Sequence, residues 1–320
     1  MDQQLSGIHH VTAIADEPQE NLDFYAGVLG LRLVKLTINF DDPGTYHLYY
    51  GDGAGHPGTI MTFFPWPKAP RGRRGTGQVT AVSFAAPKDA ISFWAERLTE
   101  HGVVAEPSDR FGEQVLSFSD PHGLYLELIA TGNVEPDRAY AEGPVPAEYA
   151  IHGFHSATLT EAGYERTAAL LTDTMGFRLV EQEGNRFRYA AHSGGPGAIA
   201  DVLCAPEQRP GRVAVGTVHH IAWRTADDPQ QEAWQKELAR LGYDVTPVID
   251  RKYFHSIYYR EPGGVLFEIA TDPPGFAVDE PPEALGSKLQ LPPWLEPARQ
   301  QLVAILPPLR LPAAAHAVRK

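Results

Sequence analysis

The sequence predicts an α+β fold in which one βαβββ module occurs four times. Three repeated features support this prediction. A glycine opens a short β-rich segment, a helical pattern follows and ends at another glycine, and a further β-rich segment closes each copy. The copies begin at residues 7, 77, 153 and 216, a spacing that suits a small α+β unit and is too long for a helical solenoid repeat.

The opening segments are predicted to be strands. After its glycine, each segment contains mainly β-branched and small residues, a composition that is typical of strands. The four segments cover residues 7–12, 77–82, 153–158 and 216–221. Each copy therefore begins with a predicted strand.

Helices are predicted over residues 21–29, 88–100, 163–175 and 229–241. In the first, Leu22, Tyr25 and Leu29 recur at the spacing of one helix face, which indicates an amphipathic helix. Glycines follow at positions 30, 102, 176 and 242, where a left-handed C-terminal residue favours the absence of a Cβ. Each helix is thus expected to turn sharply into the next strand.

The closing segments cover residues 57–62, 122–127, 196–201 and 263–268. The last of them ends at Glu268, which stands between Phe267 and Ile269. A carboxylate in such an apolar strand is costly unless something binds its charge, and a cation would do so. Glu268 is therefore a candidate ligand, and the other copies hold at this position Thr62, Glu127 and Asp201.

The modules are predicted to form two domains of two modules each. The N-terminal domain covers residues 5–142 and the C-terminal domain residues 150–272, because a Gly-Pro-Val-Pro run at 143–146 breaks the pattern between them. Residues 273–320 form a Pro-rich C-terminal tail with one short helical pattern around 298–305. We expect the tail to wrap the protein or to form an interface arm.

Composition excludes several classes of function. The 320 residues include 27 basic and 40 acidic side chains, which gives a formal net charge of −13 and no basic patch for a nucleic-acid duplex. The start is polar, and no apolar run reaches the length of a membrane helix. The single cysteine, Cys204, excludes an internal disulfide. We therefore expect a cytoplasmic protein without a nucleic-acid or membrane partner.

Two copies carry paired histidines in their opening strands, His9-His10 and His219-His220. Because side chains alternate along a strand, one member of each pair faces the concave side of the sheet, and the repeat makes His10 and His220 equivalent. With Glu268 they form a two-histidine, one-carboxylate set, which suits iron(II), or manganese(II), and leaves coordination positions open. A single histidine is more often structural, so the prediction rests on the combination.

Copies one and four must converge if this site forms, although His10 and His220 are far apart in the chain. The fourth symmetric position of the shared site is then Thr62. Copies two and three lack an imidazole at the matching places and make a poor transition-metal site, because they present Ala81, Glu127, Ser156 and Asp201.

Several segments together resemble the vicinal oxygen chelate superfamily, and within it the dioxygenases that open hydroquinone rings. These segments are residues 7–12, 46–50, 57–59, 216–222 and 262–268, and residues 289–297 are similar to the tail of some members. The resemblance covers residues 5 to about 272. It implies the vicinal oxygen chelate fold and an iron(II)-dependent dioxygenase that cleaves a small aromatic diol with dioxygen.

The resemblance also implies roles for individual residues. It makes His10, His220 and Glu268 the iron ligands. The positions that match the pocket of the hydroquinone enzymes, and are therefore candidate catalytic residues, are His9, Thr12, His219, Arg251 and Tyr258. A base and hydrogen-bond donors beside a metal-bound phenolate are what ring cleavage requires.

Three alternatives stay open on the sequence alone. A catechol extradiol dioxygenase would use the same three ligands. A lyase or isomerase of the glyoxalase type usually has a second carboxylate ligand, where this chain has Thr62. A drug-sequestering module of the same fold needs no metal. We also expect the protein to assemble as a homo-oligomer.

Overall fold

The computed structural model describes residues 4–135 and 138–312 of the chain. It contains two curled eight-stranded sheets and few helices. Each of the four copies contributes one strand, one helix and three further strands, in that order. The α+β prediction with four βαβββ modules is therefore confirmed.

The strands of the two sheets follow one another along the chain in four groups of four, one group for each copy. They are β1 Ile8–Ala15, β2 Arg32–Ile38, β3 Tyr46–Gly51, β4 Ile60–Pro65, β5 Gln78–Pro87, β6 Ala105–Arg110, β7 Glu113–Ser119, β8 Tyr125–Thr131, β9 Phe154–Glu161, β10 Arg178–Glu183, β11 Arg186–Ala190, β12 Ile199–Cys204, β13 Thr217–Thr225, β14 Ile249–Asp250, β15 Phe254–Arg260 and β16 Leu266–Pro274.

All four predicted helices are present, with small shifts at their ends. In the four copies they are α1 Pro18–Leu22, α2 Ile91–Glu100, α3 Glu165–Ala169 and α4 Asp228–Arg240, and the tail adds α5 Arg299–Ile305. Helices α1 and α3 continue as wider π-helical turns over Asp23–Val28 and Leu170–Thr174. The Asp227 side chain caps α4 by accepting a hydrogen bond from the backbone N–H of Gln230.

Copies one and four build one sheet, which we call the outer-module sheet, in the order β14-β15-β16-β13-β1-β4-β3-β2. Copies two and three build the inner-module sheet, in the order β10-β11-β12-β9-β5-β8-β7-β6. The pairing of copies predicted from the ligands is thus observed. Because each sheet takes one copy from each half of the chain, the sheets do not follow the division into residues 5–142 and 150–272, and those domain boundaries stay a prediction.

Buried apolar side chains form two clusters. The larger one extends over both sheets and their helices and contains three fully buried tryptophans, Trp94, Trp223 and Trp234. The smaller one lies on the opposite face of the outer-module sheet, beside the candidate site, and includes Val34, Tyr49, Ile60, Ala222, Phe254 and Phe276.

The tail lies across copy one of its own chain. Leu289 forms a parallel β-bridge with Leu36 of β2, and Thr37 donates a hydrogen bond to the carbonyl of Gln290 at 2.7 Å. The fully buried Lys35 forms ion pairs with Asp279 and Glu280. Helix α5 matches the predicted helical pattern, and residues 313–320 lie outside the described part. Among the described residues, no helix is long and apolar enough to span a membrane.

Candidate active site

The three central strands of the outer-module sheet place two candidate ligands in one row. Ala222 of β13 pairs with His10 of β1 on one side and with Glu268 of β16 on the other. Paired residues on neighbouring strands point to the same face, so these two side chains flank the small methyl group of Ala222. His220 stands two residues earlier on β13 and points the same way. The sheet thus gathers His10, His220 and Glu268 above Ala222.

The donor atoms of these three side chains form a small triangle. The Nε2 atoms of His10 and His220 are 3.3 Å apart. Oε2 of Glu268 lies 3.3 Å from Nε2 of His10 and 3.0 Å from Nε2 of His220. Ligand atoms bound at about 2.1 to 2.2 Å on one octahedral face lie about 3.0 to 3.1 Å apart. The triangle therefore has the dimensions of such a face.

Glu268 is fully buried, and its two oxygens have different surroundings. Oε1 accepts a hydrogen bond from Ser256 at 2.5 Å, whereas Oε2 faces the two imidazole nitrogens and has no other partner among the described residues. Burial raises the pKa of Glu268, but the imidazoles outweigh it and the pKa lies well below its ordinary value. A buried carboxylate beside two imidazole nitrogens is a donor set that a divalent cation fits.

His9 lies behind His10 and fixes its tautomer. Nε2 of His9 is 3.1 Å from the carbonyl oxygen of Thr271 and therefore carries the hydrogen, because a carbonyl oxygen only accepts. Nδ1 of His9 then accepts from Nδ1–H of His10, 2.9 Å away. This assignment leaves Nε2 of His10 with a lone pair directed into the triangle. Burial lowers the pKa of His9 well below its ordinary value, so its ring is neutral.

The second histidine pair repeats this contact, with the Nδ1 atoms of His219 and His220 2.8 Å apart. Burial and the neighbouring His220 lower the pKa of His219 to about 3, and burial lowers the pKa of His220 as well. Both rings are therefore neutral near pH 7. The ring of His219 lines the cavity, with the ring of Phe64 edge-on at 5.9 Å between centroids.

Thr62 holds the fourth symmetric position, where its hydroxyl is already engaged. Oγ1 of Thr62 lies 2.9 Å from Oγ1 of Thr12 and 2.8 Å from Nε2 of His47. Nδ1 of His47 lies in turn 2.8 Å from the hydroxyl of Tyr49. A hydrogen-bonded chain of Tyr49, His47, Thr62 and Thr12 thus stands where a second carboxylate ligand would be in a four-ligand site.

The triangle borders a cavity of about 380 Å³ between copies one and four. Aromatic rings supply much of its wall, as is common for sites that bind small organic ligands. The lining side chains include Phe40, His47, Tyr49, Phe64, Trp66, His219, Arg251, Phe254 and Tyr258. A larger cavity of about 620 Å³ lies elsewhere, near Gly58 and Gly195, and the described residues that line it include none of the triangle.

The candidate catalytic residues separate into two groups. His219, Arg251 and Tyr258 line the cavity, whereas His9 and Thr12 are buried and are not part of its described lining. Nε of Arg251 donates to the hydroxyl of Tyr258 at 3.2 Å. Burial and Glu268 raise the pKa of Tyr258 above its ordinary value, so its phenol keeps its proton.

Sequence reasoning missed three kinds of residue at this site. The first is Ser256, which donates a hydrogen bond to Glu268. The second is the pair His47 and Tyr49, since His47 contacts Thr62 and Tyr49 contacts His47. The third is Asp41, which forms an ion pair with Arg251 at 2.9 Å. Alternation along β3 could have placed His47 and Tyr49 on one face beside Thr62. Nothing in the sequence pairs Asp41 with Arg251, because both lie in loops.

The inner-module sheet fills its matching place with ion pairs. Arg110 contacts both oxygens of Glu127, at 2.9 and 2.6 Å, and Ser83 donates to the same carboxylate at 2.6 Å. Arg188 contacts both oxygens of Asp201, at 2.8 and 3.1 Å. Guanidinium groups therefore neutralise these carboxylates, and of the described residues only the outer-module sheet brings three candidate metal ligands together.

Comparison with known proteins agrees with this architecture. The profile of the Glyoxalase/Bleomycin resistance protein/Dioxygenase superfamily matches residues 7–128 and 153–269. The chain belongs to this superfamily, and the membership predicted from the sequence is confirmed. Glyoxalase I from Zea mays has a TM-score of 0.63 at 14% identity, over 83% of this chain and 92% of that chain, which shows the shared fold.

Nearer relatives carry names that describe ring cleavage. A proposed ring-cleaving dioxygenase of Bacillus subtilis (strain 168), MhqO, is 52% identical over 94% of this chain and 96% of its own length. Chlorohydroquinone/hydroquinone 1,2-dioxygenase of Sphingobium indicum is 40% identical over 95% and 96%. A crystal structure of a proposed dioxygenase from Bacillus subtilis has a TM-score of 0.93 at 51% identity, over 97% of this chain and 99% of that chain.

Proposed function

We propose that the protein is an iron(II)-dependent dioxygenase that opens the ring of a hydroquinone-type diol with dioxygen. The observation that carries the proposal is the triangle of His10, His220 and Glu268 beside an aromatic-lined cavity. The names of the relatives, which include a hydroquinone 1,2-dioxygenase, support the same reaction class. A cytoplasmic location and a homo-oligomeric state remain predictions.

The metal would bind to Nε2 of His10, Nε2 of His220 and Oε2 of Glu268. When bound there, iron(II) would supply open coordination positions and the redox chemistry that a dioxygenase needs. Manganese(II) fits the same donors, so the choice of iron is part of the proposal. Ser256 and His9 hold Glu268 and His10 in the orientation and tautomer that binding needs.

The remaining residues act on the diol. Tyr258 keeps its phenolic proton and, oriented by Arg251, can donate it in a hydrogen bond to a substrate oxygen. His219 presents a neutral ring to the cavity, where it can hydrogen-bond to the hydroxyl that approaches the metal. Phe64, Trp66 and Phe254 supply apolar walls that exclude water from the ring. Thr12 acts indirectly, by holding Thr62.

The engaged hydroxyl of Thr62 distinguishes this site from the four-ligand alternative. A four-ligand site would have a carboxylate at this position, whereas here the Thr62 hydroxyl is hydrogen-bonded to both Thr12 and His47. A three-ligand site leaves one more position open, as a dioxygenase requires. A catechol dioxygenase shares the same ligands, so the experiment must compare both diol classes.

The test is oxygen uptake by anaerobically metal-loaded protein. Iron-loaded protein is expected to consume oxygen with hydroquinone and methylhydroquinone, and less with catechol. Comparing its rate with that of manganese-loaded protein shows which metal the enzyme prefers. Preference for catechol would establish the extradiol alternative, and conversion of a hemithioacetal without oxygen uptake would establish the isomerase. No turnover of any diol by fully loaded protein would overturn the proposal.

Metal content identifies the ligands independently of turnover. His10→Ala and His220→Ala each remove one of three donors and are expected to abolish stable metal binding. His155→Ala is the matched control, because His155 is a buried strand histidine of the inner-module sheet that bonds to Glu113 instead. Full metal occupancy in either ligand variant would contradict the assignment of the site.

A further inference from the structure

The cavity carries one permanently cationic side chain among its described lining residues, Arg251. Two carboxylates, Asp41 and Asp42, also line it, and both belong to the loop between β2 and β3. Apart from the histidines and the proposed metal, the charged side chains of the described lining are therefore one arginine and two aspartates.

Two N–H groups of the Arg251 guanidinium already donate to partners from this chain. Nη1 donates to Oδ2 of Asp41 at 2.9 Å, and Nε donates to the hydroxyl of Tyr258 at 3.2 Å. The Arg251 side chain is 19% exposed and that of Asp41 is 71% exposed, so Asp41 approaches Arg251 from the solvent side. The pair joins the loop of copy one to the segment after β14 in copy four, at the edge of the cavity.

Asp42 has a different role, although it is the next residue. Its Oδ2 accepts from the indole Nε1 of Trp66 at 3.0 Å and from Oγ1 of Thr45 at 2.9 Å. These contacts hold the loop and one aromatic wall in place. The chain thus offers two adjacent carboxylates at one cavity, of which Asp41 alone forms an ion pair with Arg251.

We propose that Asp41 determines substrate specificity by neutralising Arg251, so that the cavity selects uncharged aromatic diols and rejects diols with a ring carboxylate. A free arginine is the usual receptor for a carboxylate, which it binds through two parallel hydrogen bonds. Here Asp41 takes that place. A carboxylated diol must displace Asp41 or bring its carboxylate beside two like charges, with no unpaired arginine or lysine in the described lining to receive it, and both routes cost affinity.

This inference rests on the proposed function. It predicts the ratio of kcat/KM for an uncharged diol to kcat/KM for a carboxylated diol. The probes are hydroquinone and 2,5-dihydroxybenzoate, which has the same para hydroxyls and an added carboxylate. Wild-type protein is expected to favour hydroquinone in kcat/KM. Asp41→Asn removes the negative charge that neutralises Arg251, which should shift the ratio toward the carboxylated diol by about tenfold. Asp41→Ser tests the same point with a shorter side chain.

Asp42→Asn is the matched control, since it removes the same charge one residue away and leaves the Asp41 and Arg251 pair intact. Asp42→Asn loses one like charge but leaves Arg251 neutralised, so its ratio should shift toward the carboxylated diol by no more than about twofold. An equal gain in both variants, no gain in Asp41→Asn and Asp41→Ser, or equal use of the two diols by wild type would each overturn the proposal.

A binding measurement separates this inference from the proposed function. Anaerobic calorimetry on metal-loaded protein gives the Kd of each diol without turnover, and the Kd of 2,5-dihydroxybenzoate should fall about tenfold in Asp41→Asn. If no diol is cleaved but this Kd falls, the dioxygenase proposal fails and the role of Asp41 stands. If hydroquinone is cleaved and the Kd does not change, the role of Asp41 fails alone.

Discussion

Glu127 occupies the repeat position of Glu268, yet both of its oxygens are held by Arg110, whereas Glu268 faces two imidazoles. The same module position thus carries a neutralised carboxylate in one sheet and a candidate metal ligand in the other. The difference follows from other strands of the same sheet, because β6 supplies Arg110 to Glu127, whereas β1 and β13 supply histidines to Glu268. It provides a controlled pair of substitutions.

The first prediction compares Glu268→Gln with Glu127→Gln. Glu268→Gln removes a negatively charged donor and is expected to abolish metal binding and ring cleavage. Glu127→Gln weakens the pair with Arg110 and should lower the free energy of unfolding by about 2 kcal/mol while metal content stays near wild type. Metal analysis and urea unfolding measure both effects. Equal metal loss in the two variants would show that the wrong sheet has been assigned.

The second prediction concerns the serine that holds each of these carboxylates. Ser256 donates to Glu268, and Ser83 donates to Glu127, and both serines are fully buried. Ser256→Ala is expected to weaken metal affinity by about 10-fold to 100-fold, because an outer partner that orients a ligand is lost. Ser83→Ala should leave the affinity unchanged. Competition with a chelator measures it, and equal affinities in the two variants would assign Ser256 no role at the site.

The third prediction concerns pH and the carboxyl pair Glu161 and Glu261. Both are buried, and Glu261 accepts hydrogen bonds from Thr167 and from the backbone N–H of Val265. Burial and Glu261 raise the pKa of Glu161 from 4.5 to about 9, so Glu161 is neutral in the folded protein at pH 7. Its contribution to stability is therefore complete below about pH 4.5 and is lost as the pH rises toward 9.

Glu161→Gln removes this titration and keeps the shape of the neutral acid. Relative to wild type, the variant should gain stability with rising pH, by up to about 1.4 kcal/mol per pH unit within that window. Urea unfolding at pH 5, 7 and 9 measures the difference. A difference that is constant with pH would show that Glu161 ionises normally.

The fourth prediction concerns the attachment of the tail. Lys35 is fully buried and pairs with Asp279 and Glu280, whereas Asp279 also pairs with Lys252. Lys35→Met should destabilise the protein by about 3 kcal/mol, because it leaves the buried Glu280 carboxylate without its cation. Adding Glu280→Gln removes that unpaired charge and should restore much of the loss. If the double variant is no more stable than the single one in urea unfolding, the ion pair is not the cause.

The repeat allowed the sequence to predict most of the fold and the centre of the site. Matching the copies predicted that His10, His220 and Glu268 lie together, because strand alternation and repeat position place them independently of the loops. The role of His9 was not predictable, since a β-bulge between Ile8 and His10 changes the alternation there. The contact of Ser256 with Glu268 was not predictable either, because it depends on the register between β15 and β16.

Contacts between loop residues could not be predicted from the sequence, for a different reason. The pairing of Asp41 with Arg251 depends on how two loops meet across the cavity, and no periodicity encodes that geometry. The break in the repeat pattern also suggested one domain for each half of the chain, whereas each sheet combines one copy from each half. Repeats show which copies are alike, but edge pairing, as between β1 and β13, decides which copies become neighbours.

The pairing of the first copy with the last determines the order in which a nascent chain can be completed. The inner-module sheet has all its strands once residue 204 has left the ribosome, whereas β1 waits for β13, which begins at Thr217. Until then, one edge of β1 lacks its partner, and such an edge is open to pairing with other chains. The sheet that carries the triangle of His10, His220 and Glu268 is thus assembled last, and a chain that stops before copy four lacks two of the three proposed metal ligands.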